Sequence, residues 1–198
     1  MIDPNKTLDT LTEFINIGAG KAAQALNILF ESHIGLQIPS VSFLNTIDFK
    51  DMSNSLKQKN NQIISMDFFG KVSGSAFVLF DLSKIIPLVQ KVTGEIQDID
   101  AISVQNSVLL EVSNILINSV VGSISNIVQA EVDYSVPQIC TDEIISTTFD
   151  NRYNVVLKAV TRLTIEVFDF DALTLLVFKD NTFTDNFLSH FEKTIENK

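Results

Sequence analysis

The chain has a single cysteine, Cys140, in 198 residues. An intramolecular disulfide is therefore impossible, and the small disulfide-stapled secreted frameworks are excluded. Cys140 reads as a small buried hydrophobe, not as a reactive thiol. Tryptophan is absent, and two tyrosines stand against fifteen phenylalanines, so the aromatic part of the core needs few hydrogen-bond partners. Positive charge is scarce. There are 14 Lys and Arg against 24 Asp and Glu, a net charge of −10, which argues against a nucleic-acid partner, because phosphate binding needs clustered cations. Only His33 and His190 could supply imidazole, and without paired cysteines they form no metal-ligand pattern. No run of about 18 apolar residues occurs, so no membrane span is expected. The opening MIDPNKTLDTL lacks the basic and apolar segments of a signal peptide, and the expected location is the cytoplasm.

Apolar residues make up 45% of the chain, enough for a sizeable core in one domain or two small fused half-domains. Asp3-Pro4 offers an N-cap followed by proline at the first helical position. Leu8, Leu11, Phe14, Ile15, Ala22, Ala25, Leu26 and Leu29 then follow helical spacing. Gly35 reads as the stop signal of this helix, and Pro39 as the opening of an extended segment, 41–49. A polar loop over 51–61 precedes two β-rich runs, 63–69 and 72–80, with Gly70-Lys71 as the hairpin signal. A helix over 82–92 closes this part, with Pro87 against it. The order then repeats. Asp100 caps a long helix reaching about Gln129; strands follow at 139–146, 153–168 and 172–178, and a closing helix at 184–195. Asp169-Phe170-Asp171 reads as the turn between the last two strands.

The repetition extends to a sparse polar pattern. Asp9, Glu13 and Asn16 are followed after twenty-two residues by Pro39; Ser107, Glu111 and Asn114 are followed after twenty-two by Pro137. The two copies lie ninety-eight positions apart. An amide and a carboxylate recurring inside apolar segments cost free energy unless they are paired or exposed for use. Each Glu/Asn couple is three apart, so both side chains share one helix face, with Asp9 or Ser107 one turn earlier. An amide has donors and an acceptor but no useful acid or base strength. It can place a water, as a Gln does in phosphoryl transfer. The expected fold is α/β in α+β-like layers: internally duplicated αβββα units over 3–94 and 100–197 within one domain, 1–198. A pseudo-two-fold axis would relate them, with a mixed or antiparallel sheet packed by long helices.

These segments, Glu13 with Asn16-Ile17-Gly18-Ala19-Gly20-Lys21-Ala22-Ala23 and Glu111-Val112-Ser113-Asn114-Ile115-Leu116, resemble the CheC family of chemotaxis phosphatases, in the CheC/CheX/FliY group. The family signature is Asp or Ser, three residues, Glu, two residues, Asn, twenty-two residues, Pro, and both copies match it. Two sites in one chain look most like CheC, and the length predicts no added flagellar-switch domain. The resemblance implies hydrolysis of the aspartyl phosphate of CheY-like response regulators. Asn16 and Asn114 would orient the attacking water, and Glu13 and Glu111 would pair with the regulator's active-site lysine. Mg²⁺ would be held by the regulator, and the chain would need no cofactor of its own. Asp9 and Ser107 are implied as helix support or rim contacts, Pro39 and Pro137 as the turn from helix into strand. CheD is implied as a further partner.

Other readings fit less well. Gly18 to Ala23 mimics a dinucleotide fingerprint, but what precedes Gly18 is helical and the second copy lacks the glycines. Gly20-Lys21 lacks the Ser or Thr and the glycine spacing of a P-loop. Two glycines inside a helix, each costing about 1 kcal/mol relative to Ala, predict close approach of another backbone, either a strand or a docked regulator. The alternative function is a non-catalytic adaptor that binds a response regulator, CheD or a flagellar-switch component.

Overall fold

The computed structural model describes residues 4–44, 60–84, 89–90, 101–127, 129–140, 153–165 and 168–179. Two 27-residue helices, α1 (Pro4–Phe30) and α2 (Ala101–Ile127), accompany seven strands. The strands are β1 (Ile34–Leu44), β2 (Asn61–Gly70), β3 (Gly74–Asp81), β4 (Val132–Tyr134), β5 (Gln138–Ile139), β6 (Tyr153–Ile165) and β7 (Phe168–Lys179). They form one sheet in the order β1-β6-β7-β3-β2-β4, with β5 also on β2. Every pairing among the described residues is antiparallel, so the sheet they form is antiparallel and not mixed.

That order is the same read from either edge once the halves are matched. At the centre β3 pairs with β7, and Phe77 faces Leu175, ninety-eight positions away. Residues related by the repeat meet at the axis itself, as a two-fold normal to an antiparallel pair requires. The two helix ends obey the same relation. Glu31 (φ 48°) and Gln129 (φ 50°) are left-handed, and each directly follows its helix or lies within two residues of it. Around Gln129 the N–H of Ala130 donates to Ser125 O at 2.9 Å and that of Gln129 to Asn126 O at 3.3 Å, the paired closure of a Schellman end. A non-glycine residue there costs about 1–2 kcal/mol. Gly35 is therefore not the stop signal; it lies inside β1.

Both helices pack on one face of the sheet. α1 contributes Leu11, Ile15, Ala19, Ala22, Leu26 and Phe30, a stripe at three- and four-residue spacing. α2 contributes a broader stripe that includes Leu109, Val112, Leu116, Ile117, Val120, Val121 and Ile124. By length and composition alone α2 could cross a membrane, but these side chains are buried against the sheet and α1. The opposing strand residues alternate as a pleat demands: Ile64, Met66 and Phe68 on β2, Ala76, Val78 and Phe80 on β3, Leu176 and Phe178 on β7. Phe68 and Phe178 meet edge to face at 5.7 Å. The other face holds a second buried group, Phe77, Leu79, Val156, Leu175 and Val177.

Two further expectations change. Asp169 and Asp171 do not make a turn. They belong to β7, opposite Thr164 and Arg162, because pairing with β6 continues past the point where local residue type favours a bend. Pro39 does not turn helix into strand; it lies within β1. Of the expected loop over 51–61, Asn61 instead opens β2 and residues 51–59 lie outside the described residues, as do the closing helix at 184–195, most of the strand at 139–146 and much of the helix over 82–92.

Candidate functional site

Asp9 and Glu13 are exposed on α1, and Asn16 is half-buried one turn on. The reason for that burial lies in β1. Between Gln37 and Ser40 the register against β6 shifts by one residue, a bulge at Ile38-Pro39. Bulges are where a strand tolerates proline, which cannot donate to the ladder. The extra residue also changes which parity faces inward, from Ile34, Leu36 and Ile38 to Val41. Among the described residues β1 is an edge strand, so the backbone of Ile38 has no further strand there to pair with. Asn16 supplies the partner. Its Oδ1 accepts from Ile38 N at 2.8 Å and its Nδ2 donates to Ile38 O at 2.9 Å. Nδ2 also donates to Thr12 O at 3.0 Å. Both N–H bonds of the Asn16 amide are thus engaged, since a carboxamide has only two. The spacing Asn, twenty-two residues, Pro acquires a structural meaning here: the amide pairs with the residue just before the proline.

The second copy is arranged differently. Glu111 and Ser107 are exposed and Asn114 is half-buried on α2; Ser107 Oγ donates to Ser103 O at 2.9 Å. The strand equivalent to β1 is broken into β4 and β5, and residues 135–137 between them are not in the ladder. Val136, the counterpart of Ile38, is 82% exposed. Ser135 takes up part of the pairing: its Oγ accepts from Asp67 N and its N–H donates to Asp67 O, both at 2.9 Å. Among the described residues Asn114 makes no bond to Val136 or Pro137. Its one hydrogen bond there is accepted by Oδ1 from Asn118 Nδ2 at 2.9 Å. The amino group of Asn114 is left without a protein partner among those residues, one turn from the Glu111 carboxylate.

The two helices meet through Gly18. A Cβ built there would overlap Ser123 Oγ and the Ser119 carbonyl of α2. The expected close approach is real, but the approaching backbone is a helix, neither a strand nor a visiting protein. Gly20 has nothing within 4 Å of such an atom. Asn118 lies outside the repeated polar pattern. Its signal was available: Asn114 and Asn118 are four apart on a helix, where two amides can hydrogen-bond.

No protein-family model matches the chain. It is 24% identical over 139 residues to the CheY-P phosphatase CheC of Bacillus subtilis (strain 168), a match covering 68% of this chain and 66% of CheC. That is just under two thirds of CheC's own length. The fold matches FliY of Thermotoga maritima with a TM-score of 0.67 at 18% identity, over 100% of both chains. The fold is one shared with FliY, CheX and CheC-like proteins. The same CheC/CheX/FliY fold recurs in the CheX-CheY-BeF₃-Mg²⁺ complex of Borrelia burgdorferi, with a TM-score of 0.52, 13% identity and 84% and 97% coverage. It recurs also in the FliG-FliM complex of H. pylori, with 0.58, 12%, and 89% and 94%.

Proposed function

We propose that this chain hydrolyses the aspartyl phosphate of a CheY-like response regulator, and that Glu111 and Asn114 of the second half do the work. The observation that carries the reading is the state of the two amides. That of Asn114 presents a free amino group beside an exposed carboxylate, while that of Asn16 is bound to β1. CheC is named a CheY-P phosphatase, and a fold neighbour is found in complex with CheY, BeF₃ and Mg²⁺.

The chemistry asked of this chain is small. An aspartyl phosphate is already activated, so placement of the nucleophile can supply useful acceleration. Glu111 would accept the regulator's lysine and fix the docking register. Asn114 would donate from Nδ2 to the attacking water and aim a lone pair at phosphorus. The water oxygen bonds to phosphorus as the bond to the aspartyl oxygen breaks. The regulator's carboxylate leaves, and the proton departs with orthophosphate. An amide cannot act as the base, and Mg²⁺ on the regulator would carry the charge of the phosphoryl oxygens. On this reading the chain acts in the cytoplasm, and CheD is a second proposed partner.

A second reading is favoured by one observation on α1. Glu13, Ile17, Lys21 and Ile28 are exposed along that helix, while Asn16 is unavailable for water. The first half would then bind a regulator or a switch component such as FliG without chemistry. One experiment separates the readings. Phosphate release is followed from CheY-like regulators of the same organism charged with acetyl phosphate, with wild type, Asn16→Ala, Asn114→Ala and the double variant. A phosphatase shortens the phosphoryl lifetime and loses nearly all of that effect in Asn114→Ala. An adaptor leaves the lifetime unchanged or lengthens it in every case.

A further inference from the structure

We propose that Asn118 is a positioning residue that turns the amino group of Asn114 outward. The proposal rests on the phosphatase reading for its kinetic consequence, and on the structure for the orientation itself. Asn118 Nδ2 donates to Asn114 Oδ1 at 2.9 Å. This engages the oxygen of Asn114 and points its N–H bonds away from Asn118. The amide of Asn118 is itself oriented by burial. Its Oδ1 is buried and has no hydrogen-bond partner among the described residues.

The assignment of oxygen and nitrogen in two facing amides follows from which arrangement leaves the cheaper orphan. As arranged, the orphan is a carbonyl oxygen. With both amides reversed, Asn114 would donate to Asn118 and the buried position would hold the Asn118 amino group, which costs free energy there unless an acceptor meets it. Under-satisfied carbonyls are tolerated more often than orphaned N–H groups. The reversed state is therefore disfavoured, and with it the state in which Asn114 presents oxygen to a visiting phosphoryl group. Oxygen facing a phosphoryl oxygen repels; the amino group attracts.

The first half shows what happens without this partner. Gly20 stands at the position of Asn118, ninety-eight residues earlier, and offers no side chain. The amide of Asn16 is held by Thr12 and Ile38. A structural role alone explains Asn118 poorly, because a side chain with an unpaired buried oxygen is a weaker packing element than an aliphatic one.

The test uses Asn118→Ala, which removes the donor, and Asn118→Asp, which offers only acceptors and draws the Asn114 amino group inward. Expected is a fall in kcat of tenfold or more in both, with KM for the acetyl-phosphate-charged regulator within twofold of wild type and no loss of Tm in Asn118→Ala. Side-chain ¹⁵N spectra supply a readout independent of activity. In wild type the amide protons of Asn118 exchange slowly and those of Asn114 fast; in Asn118→Asp those of Asn114 become slow. The proposal is overturned if Asn114 carries the slow protons in wild type, or if both variants keep kcat within twofold while wild type is active. A wild type that hydrolyses no regulator sinks the phosphatase reading, and the exchange pattern then decides the orientation by itself.

Discussion

Asn16 on α1 holds the backbone of Ile38 by its N–H and its C=O together. The amide thereby closes an edge that would otherwise present unpaired groups to solvent or to another strand. Asn16→Ala removes three hydrogen bonds and leaves a buried residue's backbone groups without partners, which costs about 1–3 kcal/mol. Urea denaturation should show that loss, and phosphatase activity per folded molecule should stay within about threefold of wild type. Loss of activity without loss of stability would reverse the roles assigned to the two halves.

Asn114→Ala should do the opposite. Among the described residues the side chain supports no strand, and its loss removes one side-chain hydrogen bond, that from Asn118, so the stability change should stay near 1 kcal/mol and below that of Asn16→Ala, about 1–3 kcal/mol. Activity should fall roughly 10²–10³-fold, the usual consequence of deleting one preorganised donor. Single-turnover decay of the phosphorylated regulator, measured beside denaturation curves, checks both numbers.

The two glycines of α1 make a matched pair. Gly18→Ala must place a methyl group against Ser119 and Ser123 of α2, and overpacking of this kind costs about 1–3 kcal/mol. Gly20→Ala meets open space and should stabilise the helix by about 0.5–1 kcal/mol. Thermal midpoints moving in opposite directions would establish the contrast.

Burial pushes the Tyr134 phenol above its ordinary pKa, because desolvation disfavours the phenolate. The unfolded chain therefore loses this proton first. The associated stability is complete below the ordinary phenol range, about pH 10, and disappears as pH rises through the elevated value. Denaturation midpoints from pH 8 to 11 should decline at the alkaline end, and less steeply in Tyr134→Phe. Absorbance at the phenolate band should show a late-titrating component that is absent from Tyr134→Phe.

Much of the architecture is legible in the chain because apolar spacing and the ninety-eight-residue offset act over long segments. The positions that place Leu11, Ile15 and Leu26 on one face of α1 are local and periodic. What the residues conceal depends on partners. Gly35 invites a helix end, yet the helix stops at Phe30 with left-handed Glu31, because β1 must begin early to pair with β6. Pro39 suggests a boundary, yet its missing N–H fits a bulge whose other unpaired groups Asn16 receives. Asp169 and Asp171 favour a turn by composition, but β6 holds them in the ladder. The Glu/Asn pattern is visible in both copies. That one amide is engaged and the other free cannot be seen in it, since the difference arises from a strand that is whole in one half and broken in the other.

The strand order has a further consequence. β1 belongs by sequence to the first half but lies on β6 of the second, and β4 and β5 reciprocate on β2. Each half is clasped by the other's arm, in the manner of two exchanged subunits joined into one polypeptide. Cutting the chain between the halves should leave fragments that remain associated until denatured. Neither piece expressed by itself should be soluble and well ordered, because each would lack the neighbour that completes its outer hairpin.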